Sequence, residues 1–393
     1  MSSFTELASL PEERIPGSFH TAREIAQQPD VWVKVLDLME ARAAEISSFL
    51  RLSGAVGSGD AAVILTGAGS SYFIGRAVAS QLRNRLGREV AAVPTTHFVT
   101  HPESLWNPRR SYLVVHCARS GDSPESLAAY RFMKRTRADA RHLVITCNEG
   151  GALAREVKSD PAALVITLPA QTNDRSLAMT SSFTSMALSA VSLGWMDALP
   201  RLRRAMEPVR AAARRIMEEH GDALEEFSAR AFVRACYLGS DALEGAMHEG
   251  ALKMLEMTAG RVIAICDSFL GVRHGPQVFI NGQCLIVACL SSDPRVRRYE
   301  MDLLRELRQK GQGAGMLAIS ARDDPEIGRI ADQVVAPVRP DEEIPDELRI
   351  FTDIVACQIL AFNASRGLGL MPDNPSPGGV INRVVQGVTI YDP

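Results

Sequence analysis

The chain has 393 residues, 46% hydrophobic and 23% charged, enough apolar material for the cores of two or three domains. A net charge of −3 argues against nucleic acid as the main partner, because nucleic acid wants a basic face. The longest unbroken apolar run in the second half, Cys284 to Leu290, is far too short to cross a bilayer, so no membrane is expected.

The first residues, Met1 to Glu6, lack the basic and apolar regions of a signal peptide. Of seven cysteines, Cys147, Cys236, Cys266, Cys284 and Cys289 sit in apolar runs, and no CxxC pair occurs. Buried thiols in a reducing cytoplasm are expected, without disulfides or zinc.

In chain order, residues 1–30 form a polar lead-in, in which Thr21 and Glu24 fit a capping box that Pro29 interrupts. Trp32, Val35, Leu36, Met39, Ala43 and Ile46 recur at helical spacing, which predicts one amphipathic helix over 31–52. Ala61 to Leu65 reads as a strand, ending in Gly67-Ala68-Gly69-Ser70-Ser71 before a helix from Tyr72. That turn lacks the third glycine of a dinucleotide fingerprint and the lysine of a P-loop. Further strands are expected at Val90–Val93, Tyr112–Cys117, His142–Thr146 and Ala163–Leu168, each separated by a helix or loop. Strands alternating with short helices imply βαβ units and a parallel sheet.

The most informative turn follows the third strand: Arg119-Ser120-Gly121-Asp122-Ser123-Pro124-Glu125-Ser126. Pro124 suits a first helical position. Hydroxyls and a glycine backbone at a helix start make an anion site, although Ser123 and Ser126 are equally good plain helix caps. Thr180 and Ser181 head a later helix. Residues 198–228 read as one solvated helix of mixed charge, taken as the connection between domains 31–197 and 229–366. The pattern then repeats about 170 residues on. Ala231–Leu238, Val262–Cys266, Leu285–Leu290, Met316–Ser320 and Gln333–Ala336 are the strands, and Ser291-Ser292-Asp293-Pro294 echoes the earlier turn. A helix at 345–366 precedes a Gly-, Pro- and Asn-rich tail at 367–393, expected near the active site.

Gly67-Ala68-Gly69-Ser70-Ser71-Tyr72, Ser120-Gly121-Asp122-Ser123, Glu249-Gly250-Ala251-Leu252-Lys253-Met254-Leu255-Glu256 and Arg273-His274-Gly275-Pro276 resemble the sugar isomerase (SIS) family over about 30–393. The last two are similar to the isomerase half of glucosamine-6-phosphate synthase. Ala118 to Ser126, Asn173 to Ser182 and Asp267 to Pro276 resemble the branch called tagatose-6-phosphate ketose/aldose isomerase, also galactosamine-6-phosphate deaminase. The resemblance implies an α/β fold of two tandem doubly wound, flavodoxin-like parallel-sheet domains with flanking helices. It implies a cofactor-free enzyme, a homodimer or higher, acting on a hexose 6-phosphate or amino sugar 6-phosphate. The synthase branch carries a serine where Ala118 stands and a Schiff-base lysine where the tail aligns Gln386, so covalent sugar–lysine catalysis is not expected.

Glu256 is the expected general base for the C2 proton, with a surface Glu249–Lys253–Glu256 ladder as the rival reading. His274 is the expected ring-opening acid–base group, or else a turn histidine bonding backbone. Arg273 beside it either holds an anion or is paired structurally. Ser70, Ser71, Ser120, Gly121, Ser123, Thr180 and Ser181 form the expected phosphate and hydroxyl set. His97 is a further substrate contact; its spacing to His101 suits a metal only on a helix, and Pro102 argues for a loop, so no metal is assigned. The reaction expected is galactosamine 6-phosphate to tagatose 6-phosphate and ammonia. A deglycase of a sugar-phosphate amine adduct and a non-catalytic sugar-phosphate sensor are the alternatives.

Overall fold

The computed structural model describes residues 2–385 and 387–391. The chain divides into two units, each built on its own five-stranded parallel sheet.

The first unit comprises Asp30–Asn173, Ser181–Arg203 and the tail from Gly379. Its strands are β1 (Ala62–Gly67), β2 (Val90–Pro94), β3 (Tyr112–Ala118), β4 (Arg141–Thr146) and β5 (Ala163–Thr167), in the order β2-β1-β3-β4-β5. β1 and β3 are buried at every position, which is why both read as continuous apolar runs and not as alternating ones. Helices Ser70–Leu86, Pro124–Thr136 and Ala152–Val157 follow β1, β3 and β4. The helix Ser181–Leu193 after β5 is buried along its whole length.

The second unit comprises the residues up to Pro29, Asp174–Thr180 and Arg204–Gly378. Its strands are β6 (Arg234–Gly239), β7 (Ile263–Ser268), β8 (Cys284–Cys289), β9 (Gly315–Ile319) and β10 (Gln333–Val335), in the order β10-β9-β8-β6-β7. Numbered within itself, each sheet runs 2-1-3-4-5, the flavodoxin-like order, whose switch point lies between its first and third strands. Helix Asp346–Gly367 is long and apolar enough to span a membrane, yet here it is a core helix, buried from Leu348 to Ser365.

Several expected elements are corrected. Residues 31–52 form two helices, Gln28–Ala41 and Ala43–Leu52, broken at Arg42, whose guanidinium is drawn to the Val165 carbonyl at 2.7 Å. Residues 198–228 likewise split into Leu199–Glu219 and Gly221–Ser228 around His220. The capping box does not form, since Thr21 lies inside helix Phe19–Ala26. Asp373 caps that helix instead, accepting from the Thr21 N–H at 2.7 Å and the His20 N–H at 3.2 Å. All seven cysteines are free thiols, six buried and Cys266 half-buried.

Candidate active site

In the first unit, the turns after β1 and β3 flank the switch point, where open α/β sheets bind ligands. Gly67 ends β1 because a Cβ there would lie 2.5 Å from the Ser71 backbone carbon. Gly69 then turns with φ 56° and ψ −129°, and Ser70 and Ser71 open the helix as buried hydroxyls.

After β3 the chain turns through Ser120 to Ser123. The Ser120 hydroxyl accepts the Asp122 N–H at 3.2 Å, and Gly121 takes φ 67°. The plain-cap reading of Ser123 fails: its hydroxyl does not cap the helix and lies 2.6 Å from the Ser126 hydroxyl. The turn is pinned from below. Asn148 Nδ2 donates to the Ser120 carbonyl at 2.9 Å, the Leu153 N–H to the Gly121 carbonyl at 2.9 Å, and the Ala152 N–H to Asp122 at 2.9 Å. The turn is therefore fixed before any ligand arrives, which lowers the ordering cost of binding.

Asn148, Arg119 and Arg383 were not singled out from sequence. Asn148 follows β4, the strand beside β3, and a polar residue at the carboxyl end of a neighbouring parallel strand was the available signal. Buried Arg119 donates to the Arg383 carbonyl at 2.5 Å, and Arg383 donates to Asn173 Oδ1 at 2.5 Å. The tail therefore lies against the base of the serine turn, and nothing in its composition marks Arg383. The tail position Gln386 lies outside the described residues.

His97 is exposed, on a short helix Thr95–Thr100 with His101 at its C-cap, in place of the expected loop. Ser181 begins the buried helix after β5.

In the second unit, helix Ala242–Met257 carries the carboxylates. The surface-ladder reading fails, because Glu249 and Lys253 are wholly buried. Lys253 Nζ lies 2.5 Å from Glu256 Oε2 and 3.3 Å from Glu249 Oε1. Burial pulls the Lys253 ammonium toward neutrality, but the charges of Glu249 and Glu256 more than offset it and hold the group above its ordinary range. Glu256 is partly exposed, and its Oε1 makes no hydrogen bond among the described residues.

His274 ends the short turn Gly271–His274, is exposed, and makes no hydrogen bond among the described residues, so it is not a backbone-bonding turn histidine. Arg273 is paired with Glu306 at 2.9 Å. Thr180 donates its N–H to Asp174 at 2.7 Å, while its buried hydroxyl finds no partner among the described residues.

A serine turn at the switch point of one doubly wound sheet, and a carboxylate helix on a second sheet of the same order, define a tandem sugar isomerase (SIS) protein. The SIS domain model matches residues 60–194. A Streptomyces coelicolor relative is 41% identical over 378 residues, 95% of each chain. D-galactosamine-6-phosphate deaminase AgaS of Escherichia coli is 36% identical over 387 residues, 97% of this chain and 99% of that one. The solved tagatose-6-phosphate ketose/aldose isomerase from Escherichia coli is 34% identical, covering 95% of this chain and 97% of that one with a TM-score of 0.85. The chain belongs to the SIS family, in its galactosamine-6-phosphate deaminase and tagatose-6-phosphate ketose/aldose isomerase branch.

Proposed function

We propose that the protein deaminates galactosamine 6-phosphate to tagatose 6-phosphate. The observation that carries this reading is Glu256, with one oxygen held by a buried ammonium and the other without a hydrogen bond among the described residues. A carboxylate so oriented can take a carbon-bound proton without swinging away. The name of the Escherichia coli deaminase supports the choice of sugar.

Ser120, Gly121 and Ser123, with Ser70 and Ser71, hold the phosphate through hydroxyls and N–H groups. Thr180 and Ser181 hold sugar hydroxyls, a role supported by the Thr180 hydroxyl, which has no partner among the described residues. His274 moves the ring-opening proton, and His97 is a further contact. Arg273, already given to Glu306, serves best by fixing the turn that carries His274.

Glu256 removes the C2 proton of the open 2-amino aldose, giving an enolamine. Reprotonation at C1 gives a ketimine, and water hydrolyses it to the ketose and ammonia. With glutamine at 386, the nitrogen leaves by this hydrolysis and not through an imine to the enzyme. A 2-hydroxy aldose gives an enediol on the same base, hence aldose–ketose exchange, which fits the name of the solved isomerase.

A coupled ammonia assay across galactosamine, glucosamine and hexose 6-phosphates tests the reading. Ammonia and a ketose phosphate from galactosamine 6-phosphate are expected. No ammonia, with clean exchange on a hexose phosphate, would leave an isomerase. Tight binding of every sugar without turnover would leave a sensor.

A further inference from the structure

The two sheets correspond position by position at their switch points. Gly69 and Asp241 share one unusual backbone conformation, φ 56°, ψ −129° and φ 52°, ψ −118°. For Asp241 that conformation is strained, since it has a Cβ. Ser120 and Ser291 each stand two residues beyond the third strand of their sheet. Each hydroxyl accepts the N–H two residues on, Asp122 at 3.2 Å and Asp293 at 3.0 Å.

The contents differ. Where the first unit opens a helix with Ser70 and Ser71, the second has Ala242 and Leu243. Ser181 is the first residue of the helix after β5, and Asp346 is the first residue of the helix after β10. The Asp346 carboxylate accepts from the Ser291 hydroxyl at 2.5 Å and from the Ser292 N–H at 2.8 and 3.1 Å. Buried Glu300 accepts from the Ser291 N–H at 2.8 Å and the Ser240 hydroxyl at 2.6 Å, spanning the turns after β6 and β8. Fully buried Arg349 faces the same group, 3.3 Å from Asp346 and 2.6 Å from Asp353.

We propose that Asp346 and Glu300 are internal anions closing the second switch point, so that the chain takes one phosphate, in the first unit alone. The donors that would meet a phosphate, Ser291 Oγ and the Ser292 N–H, are already saturated by a carboxylate that cannot diffuse away. An external anion would have to displace it from Ser291, Ser292 and the fully buried Arg349, leaving that guanidinium to find a new partner. Asp346 also marks the geometry a phosphate takes over the corresponding Ser120 hydroxyl and Gly121 N–H. That last step rests on the phosphate role proposed for the Ser120 turn; the closure itself does not.

The probe is inorganic phosphate, titrated calorimetrically and by its effect on Tm. The wild-type chain is expected to bind one phosphate, and the Ser120→Ala/Ser123→Ala protein none. Adding Asp346→Ala to that double variant frees Ser291 and Ser292 beside Arg349. A cavity of about 460 Å³ lined by Ser292, Arg297, Arg322, Glu342, Glu343 and Pro345 adjoins them. One phosphate per chain and a phosphate-dependent rise in Tm should then return. Asp346→Ser, which installs the residue found at position 181, reads the same gain if the alanine variant does not fold. Two phosphates on the wild-type chain, or no gain in a folded Asp346 variant, overturns the proposal. A double-serine variant that still binds one phosphate, and two once Asp346 is replaced, would remove the Ser120 turn from phosphate binding and keep the closure.

Discussion

Lys253 holds Glu256: the ammonium lies 2.5 Å from Oε2, is wholly buried, and also neutralises Glu249 one turn earlier at 3.3 Å. Glu256→Gln keeps the shape of the side chain and removes the base. Exchange of the C2 hydrogen with solvent deuterium should fall by at least 100-fold, with phosphosugar affinity changed little. Exchange at the wild-type rate would assign the base elsewhere.

Lys253→Met tests the holder. It strands Glu249, a buried carboxylate, so a loss of about 3–5 kcal/mol in stability is expected, read from denaturant unfolding. Activity measured well below Tm should fall as well, in kcat more than in KM, because Glu256 loses its fixed orientation. Full activity in a folded variant would reduce Lys253 to a structural counter-ion.

Ser120→Ala and Ser123→Ala each remove a hydroxyl proposed to meet a charged phosphate. Such a bond contributes about 1.5–3 kcal/mol, so KM should rise roughly 10- to 150-fold per substitution. The Ser120 change also deletes the acceptor for the Asp122 N–H, so its effect should be the larger. The check is steady-state kinetics on the amino sugar phosphate. Unchanged KM in both variants would sink the role of this turn.

The strands and the two serine turns were legible because parallel sheets bury both faces and so write themselves as apolar runs ending in Gly and Ser. The breaks at Arg42 and His220 were not, since helical periodicity continues across them. Arg42 leaves the helix for the Val165 carbonyl, a partner 123 residues away. Periodicity placed Glu249, Lys253 and Glu256 on one face but could not say that Glu249 and Lys253 are buried there while Glu256 reaches solvent. The support of the Ser120 turn by Asn148, and of Arg119 by Arg383, rests on single side chains without periodicity. The carboxylates Asp346 and Glu300 are invisible for the same reason: only the folded register brings them to the Ser291 turn.

Stability against pH carries two opposed contributions, one in each unit. In the first, His116 Nε2 lies 3.0 Å from His142 Nδ1, both rings buried on adjacent strands β3 and β4. Burial, then the Lys134 charge, against the opposing pull of Asp160, push His142 down to about 4 from an ordinary 6.5. The unfolded chain takes up that proton first, so this contribution is present above about 6.5 and is lost as pH falls toward 4. In the second unit, the Glu24 carboxylate accepts from the Arg175 N–H at 2.5 Å and from the Ser176 hydroxyl, near buried Asp174. Burial, then Asp174, raise Glu24 from 4.5 to about 7, against the lowering effect of those hydrogen bonds. Its contribution is present below 4.5 and is lost as pH rises through 7. His142→Leu should therefore lose a destabilisation specific to acid, and Glu24→Gln one specific to neutral pH. Tm measured from pH 4 to 8 should climb more steeply with pH in Glu24→Gln than in wild type, and less steeply in His142→Leu. Parallel Tm curves for all three proteins would show that neither group titrates between the folded and unfolded states as argued.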